Sequence, residues 1–252
     1  MDSVLRNFVD YQDRLLAKVT KRDEVIGLMF AGSAADLSRV DEHSDQDFFL
    51  IVKDGAAERM RENLDWLPNH EQILLAPRET EHGLKVVYLD GTLLEFAIFE
   101  DSELDQHIAP IDNKVVLDRT DITPRIGKIA QKAVPKPIAV ETELELFLSL
   151  IQIGVGRYRR GEQIAADQHI KSYALEKLLG LIREVTPVAG SRADSLNRFR
   201  RFELDYPVLG KRIQSAMRLD AENCAREFVA IAVELELAPN KIQAIKEILK
   251  WQ

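Results

Sequence analysis

Two aspartates separated by one residue, Asp45 and Asp47, stand where a polar loop meets a run of Phe, Leu, Ile and Val. In an extended strand, side chains two residues apart point to the same face, so these two carboxylates converge. Two negative charges side by side repel each other unless a cation lies between them. The pair therefore predicts a cation-binding site at the mouth of a strand.

Gly32 and Ser33 follow an apolar run and precede the aspartates, with twelve residues from Ser33 to Asp45 and fourteen to Asp47. Glycine allows the backbone to approach a ligand closely, and exposed N–H groups with a serine hydroxyl can hold phosphate oxygens. The spacing therefore predicts a phosphate-binding turn between two strands, the second of which begins with the aspartates.

The first half of the chain has to position these residues, and its pattern indicates mixed α and β structure. A helical pattern at residues 4–18 precedes six short apolar runs that are bounded by turn residues. The runs are residues 25–30, 48–53, 73–76, 85–89, 93–99 and 115–117. Asp90-Gly91, between two of these runs, is a strong hairpin signal. We therefore predict a mixed, largely antiparallel sheet.

The second half of the chain has a different pattern and a different charge. Amphipathic helical patterns occupy residues 141–160, 165–183, 207–217, 222–236 and 241–251. Residues 1–120 carry 13 Lys and Arg against 25 Asp and Glu, a charge of −12, whereas residues 121–252 carry 21 against 17, a charge of +4. We predict the α+β class, with the sheet domain at residues 1–120 and an all-α helical bundle domain at residues 121–252.

Composition excludes several functional classes. With 46% hydrophobic and 30% charged residues in 252, the chain is typical of a globular protein with a sizeable core. An acidic first half argues against a nucleic-acid partner, because phosphate neutralisation by basic residues supplies most of that affinity. No apolar run is long enough for a membrane span, and no leader pattern is present, so we expect a cytoplasmic protein without a membrane partner. The single cysteine, Cys224, lies in a helical pattern and is expected to be a buried thiol.

These residues form a pattern: an apolar strand, Gly-Ser, about a dozen residues, and then Asp-x-Asp in a second apolar strand. In this pattern the chain resembles the nucleotidyltransferase superfamily that includes DNA polymerase beta. The order of segments is most similar to bacterial lincosamide and aminoglycoside nucleotidyltransferases, and the likeness continues through "LLEFAIF", "NKVVLDRTD" and "RRFELDYP". The chain departs from many relatives at two points. It has Ala34 to Asp36 where they place an arginine, and Gln46 fills a position that is often apolar.

The resemblance implies transfer of a nucleoside monophosphate, AMP from ATP in the expected case, to a hydroxyl of a small molecule, with release of pyrophosphate. Asp45 and Asp47 would bind one or two Mg²⁺ ions. Glu95 matches the third carboxylate, as a metal ligand, as the general base for the acceptor hydroxyl, or as both at different stages. The base role is favoured here because the apolar neighbours of Glu95 are expected to desolvate it.

The resemblance also implies residues that bind the nucleotide. Gly32 and Ser33 would contact its phosphates, and Arg39 or a basic residue of the helical half would replace the arginine that is missing after Gly-Ser. In the helical half, Lys171 would face the triphosphate across a cleft between the domains.

Two other functions stay open. One is transfer of AMP to a protein hydroxyl, as in toxin–antitoxin systems, although those enzymes are shorter and keep the missing arginine. The other is a pseudoenzyme that binds nucleotide without chemistry, although all three carboxylates are retained.

The biological role expected from the resemblance is antibiotic resistance. The acceptor and the preferred nucleotide cannot be read from the sequence, and a homodimer is left open.

Overall fold

The structure is a computed structural model that describes residues 3–107, 113–132, 139–188 and 198–251. The chain divides into two compact units, Met1–Pro135 and Lys136–Gln252. This division lies after the boundary predicted at residue 120, because the helix Ile122–Lys132 packs on the sheet of the first unit. Ile122 and Ile126 of that helix share a buried cluster with Met29 and Ile51. At Gly27 any side chain would overlap Ile122, so the helix lies directly on the strand.

The first unit is α+β. Its strands are β1 (Val25–Ala31), β2 (Gln46–Val52), β3 (Ile73–Leu75), β4 (Gly83–Tyr88), β5 (Leu93–Glu100) and β6 (Asn113–Asp118). Its helices are α1 (Ser3–Val19), α2 (Gly32–Ala35), α3 (Ala57–Glu62), α4 (Leu104–His107) and α5 (Ile122–Lys132), with 3₁₀ turns at Leu37–Arg39, His70–Gln72 and Asp101–Glu103.

The six strands form one mixed sheet in the order β3-β4-β5-β2-β1-β6. Neighbouring strands are antiparallel except β2 and β5, which are parallel. Each strand overlaps one of the six apolar runs of the sequence, and the pairing confirms the predicted mixed, largely antiparallel sheet. The short helices α2, α3 and α4 were not predicted, because four to six residues are too few to show a helical period.

Alternation along the strands divides the sheet into two faces. On one face, Phe48 and Leu50 of β2 belong to a buried cluster that includes Phe8 and Leu15 of α1. On the other face, Ile51 of β2 belongs to the cluster that α5 covers. Residues of odd number at the start of β2, Asp47 among them, therefore lie on the α5 face of the sheet, and residues of even number lie on the α1 face.

The described elements of the second unit are helical. They are α6 (Val140–Arg159), α7 (Gln163–Gln168), a π-helical segment (His169–Ala174), α8 (Leu175–Val185), α9 (Phe202–Asp205), α10 (Pro207–Ala216), α11 (Ala221–Glu234) and α12 (Pro239–Ile248). The pattern at residues 165–183 is thus interrupted by a π-helical segment, which the sequence did not predict. Cys224 is buried in α11, as expected, and burial raises its pKa to about 12. Within the described ranges, no helix has the length and apolarity that a membrane span needs.

A hydrogen-bonded acid in the second unit gives a prediction about stability. Glu222 accepts from Arg159 Nη2 at 2.6 Å and from Trp251 Nε1 at 2.9 Å. The bond from Arg159 is the largest cause that lowers the pKa of Glu222 from 4.5 to about 2. Because the folded pKa is the lower one, the stabilisation is present above pH 4.5 and is lost as the pH falls towards 2. We expect Glu222→Gln to destabilise the protein by about 2 kcal/mol at pH 7, and by less at each step below pH 4.5.

Denaturant unfolding at a series of pH values measures this difference. Glu141→Gln is the matched control, since Glu141 also pairs with a cation, Lys241 at 2.7 Å, but its side chain is 78% exposed. An exposed pair contributes little, so the control should leave the free energy of unfolding nearly unchanged. A pH-independent difference between wild type and Glu222→Gln would contradict the expected linkage.

Candidate metal centre

The structure brings together the three carboxylates that the sequence singled out. Asp47 of β2 is paired directly with Glu95 of β5 in the parallel register, and Asp45 lies two residues before Asp47. One oxygen from each of the three groups lies within 4.8 Å of the others. All three side chains point to the same face because successive strand residues alternate and the register aligns 47 with 95.

Glu95 is exposed, with 46% of its side chain accessible. Its neighbours in sequence, Leu94 and Phe96, are buried, but they point to the α1 face of the sheet. The expectation that these apolar neighbours desolvate Glu95 was therefore wrong. Successive side chains of a strand alternate between its two faces, so Leu94 and Phe96 lie on the opposite face from Glu95. The feature that distinguishes Glu95 is its proximity to Asp45 and Asp47.

A lysine that the sequence did not indicate accompanies the three acids. Lys85 of β4 is in register with Glu95, and its Nζ lies 3.6 Å from Glu95 and 2.8 Å from Glu79. The hydrogen bond to Glu79 and the charge of Glu95 raise the pKa of Lys85, so it is protonated at neutral pH. Its positive charge reduces the repulsion among the clustered carboxylates.

The loop before Asp45 is closed by its own hydrogen bonds. The Asp41 backbone N–H donates to Ser44 Oγ at 2.9 Å, and the His43 N–H donates to Asp41 Oδ1 at 2.8 Å. Short polar side chains of this kind stabilise a turn by bonding to nearby backbone groups. The turn directs the chain into β2, so that Asp45 reaches the same edge of the sheet as Asp47.

The Gly32 turn lies against the acidic cluster. Gly32 begins α2 with a φ of +54°, and a Cβ at this position would lie 3.1 Å from Asp47 Oδ2. The left-handed backbone favours glycine at this position, and a side chain here would press against the Asp47 carboxylate. Ser33 follows in the same short helix.

Ala34 to Asp36, where the sequence resemblance leads one to expect an arginine, have local structural roles in this chain. Ala34 is 1% exposed, and Asp36 caps the 3₁₀ turn Leu37–Arg39 by accepting from the Ser38 backbone N–H at 3.1 Å. Arg39 ends that turn and is half-buried. Its part in nucleotide binding stays a prediction, as does that of Ser33.

Lys171 belongs to the second unit, in the π-helical segment. Its Nζ lies 2.9 Å from Asp167 Oδ1, one turn earlier. Single π-helical turns are often found at functional sites. Its predicted contact with a triphosphate stays a prediction.

The donor set suits a hard divalent cation. Three carboxylates supply oxygen ligands only, as Mg²⁺ prefers, and two of them are held at fixed register on adjacent strands. Lys85 at one side leaves the total charge of the four groups negative. Asp45, Asp47 and Glu95 are thus the residues that would hold the ion.

Gly32→Ala tests the packing between the turn and the cluster. We expect it to cost about 1–2 kcal/mol of stability, because alanine is strained at positive φ, and to weaken Mn²⁺ binding, because its Cβ would displace Asp47. Gly55→Ala is the matched control in the same unit: Gly55 has a φ of +81°, and a Cβ there would meet nothing within 4 Å. Calorimetric titration of both variants with Mn²⁺ would contradict the expectation if they bound equally well.

No protein-family model and no curated protein sequence matches the chain at a significant level. Among solved structures, it is similar to an aminoglycoside 6-adenyltransferase from Bacillus subtilis, with 13% identity and a TM-score of 0.33 over 100% of this chain and 93% of that chain. It is also similar to a nucleotidyltransferase-like protein from Exiguobacterium sibiricum, with 13% identity and a TM-score of 0.38 over 95% and 76% of the two chains. A STING-associated CdnE c-di-GMP synthase from Capnocytophaga granulosa has 9% identity and a TM-score of 0.31 over 96% and 82%. The first two descriptions name the class that the sequence resembles, but likenesses this weak do not assign a function, which has to come from the geometry of the site.

Proposed function

We propose that this protein is a nucleotidyltransferase that transfers a nucleoside monophosphate to a hydroxyl of a small molecule and releases pyrophosphate. The proposed donor is ATP, so that the transferred group is AMP. The observation that supports this most directly is the convergence of Asp45, Asp47 and Glu95 within 4.8 Å, next to the turn at Gly32. A carboxylate cluster beside a glycine turn provides for a cation and for the phosphates that the cation neutralises.

Asp45 and Asp47 would hold the divalent cation through oxygens on the α5 face of the sheet. When bound, Mg²⁺ supplies stabilisation of the charge that develops on the attacking and leaving oxygens of an in-line displacement. The strand register fixes these two aspartates relative to Glu95 before any ligand arrives. Pre-organised charges of this kind act without the cost of reorganisation during the reaction.

Glu95 is proposed as the third oxygen ligand. Its oxygen lies within 4.8 Å of both aspartates, and its side chain is exposed, without the apolar surroundings that typify a carboxylate general base. Removal of the acceptor's proton by Glu95 is the alternative role, and the two are separated by the substitution described in the Discussion.

The turn that begins at Gly32 is proposed to hold the nucleotide's phosphates. The glycine has no side chain to obstruct a close approach, and the Ser33 hydroxyl is placed one residue further along the same turn. Arg39, three residues after Asp36, is proposed to supply positive charge in place of the arginine that relatives carry after Gly-Ser.

The acceptor is proposed to be a hydroxyl-bearing antibiotic of the lincosamide or aminoglycoside class, which would make the protein a resistance enzyme. The sequence resemblance supports this class. The charge of −12 on residues 1–120 also favours a cationic small molecule such as an aminoglycoside over a polyanion.

The test is a screen of the purified protein with Mg²⁺, each of the four nucleoside triphosphates, and a panel of lincosamides and aminoglycosides. Pyrophosphate release and a gain in product mass equal to one nucleoside monophosphate would support the proposal. Reactions with chelator and with an Asp45→Asn variant are the controls for metal-dependent chemistry. The absence of both Mg²⁺-dependent nucleotide binding and pyrophosphate release would refute it.

A further inference from the structure

Two glutamine side chains are buried on the α1 face of the sheet, behind the aspartates. Gln46, which separates Asp45 from Asp47 in the sequence, is 2% exposed, and Gln12 of α1 is 8% exposed. Burying an amide is unfavourable unless its polar atoms are hydrogen-bonded, so such residues are rare in a core without a specific partner.

The two amides form one hydrogen-bonded network. Gln46 Nε2 donates to the Phe8 carbonyl at 2.9 Å, and Gln46 Oε1 accepts from Gln12 Nε2 at 3.3 Å. The same nitrogen of Gln12 donates to the Ala34 carbonyl at 3.0 Å. One amide nitrogen thus joins the helix α1 to both β2 and α2.

The network reaches the two segments that build the candidate metal centre. Ala34 lies two residues after Gly32, whose missing side chain leaves room for Asp47 Oδ2. Gln46 is covalently bonded to both aspartates, and its side chain points away from theirs because strand residues alternate. Fixing the Gln46 amide therefore fixes the backbone from which both carboxylates extend.

An apolar residue at position 46 would fill the core without setting an orientation. Neighbouring Phe48 and Leu50 do this on the same face, where they pack into the apolar cluster. A hydrogen-bonded amide instead prefers one direction and one distance for each partner. The turn at Gly32 and the start of β2 are thereby held at a set separation.

We propose that Gln12 and Gln46 are positioning residues, which hold the Gly32 turn and the Asp45–Asp47 pair in the arrangement that binds a divalent cation. This inference rests on the proposed function and adds to it the residues that orient the ligands. Neither glutamine touches the ion or the substrate; both act through the backbone of the residues that do.

The expected effect follows from how outer groups support metal ligands. Residues that orient ligands typically change metal affinity by about 10-fold to 100-fold when they are removed. Gln46→Met and Gln12→Met keep a side chain of similar length and remove the amide bonds. Because the two amides bond to each other, the double variant should lose less than the product of the two single losses.

Mn²⁺ binding to the full-length protein, measured by calorimetry, tests the proposal, with thermal unfolding of each variant in the absence of metal. Tyr11→Phe is the matched control, since the Tyr11 hydroxyl also joins α1 to the sheet through a buried bond of 3.1 Å to Tyr88. We expect the glutamine variants to weaken Mn²⁺ binding at least about 10-fold. Tyr11→Phe should lower the unfolding temperature by a similar amount but keep the wild-type Kd for Mn²⁺.

The outcomes separate this inference from the proposed function. If the folded glutamine variants bind Mn²⁺ with the wild-type Kd, the network is ordinary core packing and the inference is overturned. If wild type itself binds no Mn²⁺, the proposed metal centre fails, and the positioning role fails with it. Should Gln46→Met not fold, Gln12→Met decides alone, because it removes the bonds to both Gln46 and Ala34 from the helix side.

Discussion

Asp47→Asn is expected to abolish cation-dependent nucleotide binding and to lower turnover by at least about 10³-fold, since Lewis-acid stabilisation by a bound ion contributes several kcal/mol. Asparagine preserves the shape of the side chain but supplies a neutral oxygen in place of a carboxylate. The residue lies on β2 at the centre of the sheet, opposite Glu95. Calorimetry with ATP and Mg²⁺ measures the binding, and pyrophosphate release measures the turnover.

Stability of the same variant provides an internal check. Removing one charge from the carboxylate cluster relieves repulsion, so without a cation Asp47→Asn should be at least as stable as wild type. Wild type should gain thermal stability as Mg²⁺ is added, because a ligand that binds only the folded state stabilises it, and the variant should not. Asp65→Asn, at an acid that pairs with Arg22 at the surface, is the control substitution. A folded Asp47→Asn protein with undiminished affinity for Mg²⁺ and ATP would remove this residue from the site.

Glu95→Gln separates cation binding from proton removal. A positioned base contributes about 10²–10⁴ in rate, so a pure base role predicts that loss in kcat with unchanged affinity for nucleotide and Mg²⁺. The structure places an oxygen of Glu95 within 4.8 Å of both aspartates and leaves the side chain exposed. We therefore expect the affinity to fall together with kcat, as for an oxygen ligand.

Glu79→Gln is the matched control for Glu95. Glu79 contacts the same lysine, Lys85, at 2.8 Å, but it is not one of the three clustered carboxylates. Loss of a partner for Lys85 is thus common to both variants, and loss of a ligand is confined to Glu95→Gln. An unchanged nucleotide affinity with a large drop in kcat would instead identify Glu95 as the base.

The sheet and the convergence of Asp45 with Asp47 were predictable because both depend on local periodicity. Each of the six strands overlaps a short apolar run of the sequence, and side-chain alternation alone aligns two aspartates that are separated by one residue. Glu95 was identified by the family resemblance, but the sequence did not show that its strand, β5, pairs with β2. Parallel pairing of β2 with β5 joins distant segments, which periodicity does not encode.

Register explains why Lys85 was missed. A two-residue turn at Asp90-Gly91 would place Phe96 opposite Lys85, but the observed loop is one residue longer and is closed by the Tyr88 N–H donating to the Thr92 carbonyl at 2.9 Å. The longer loop pairs Lys85 with Glu95 instead. A shift of one residue exchanges the two faces of a strand, so this contact required the exact loop length.

The roles of Gln12 and of the helix α5 could not be predicted from the sequence, because both depend on contacts between distant segments. Gln12 lies in an amphipathic helix whose pattern indicates a buried face but does not show which polar residue on it will find a partner 34 residues away. The helix α5 was not among the helical patterns identified in the sequence, and the boundary at residue 120 placed its residues in the second half, whereas its apolar residues pack against buried residues of β1 and β2.

The single parallel pair in the sheet has a consequence for how the protein folds. The β4–β5 hairpin closes over a few residues, whereas the β2–β5 pair brings together residues 47 and 95. Closing the longer loop costs more chain entropy before any contact is gained, so this pairing is expected to form late. A cation that needs carboxylates from both strands can bind only after that step. Added Mn²⁺ should therefore slow unfolding and leave the rate of refolding nearly unchanged.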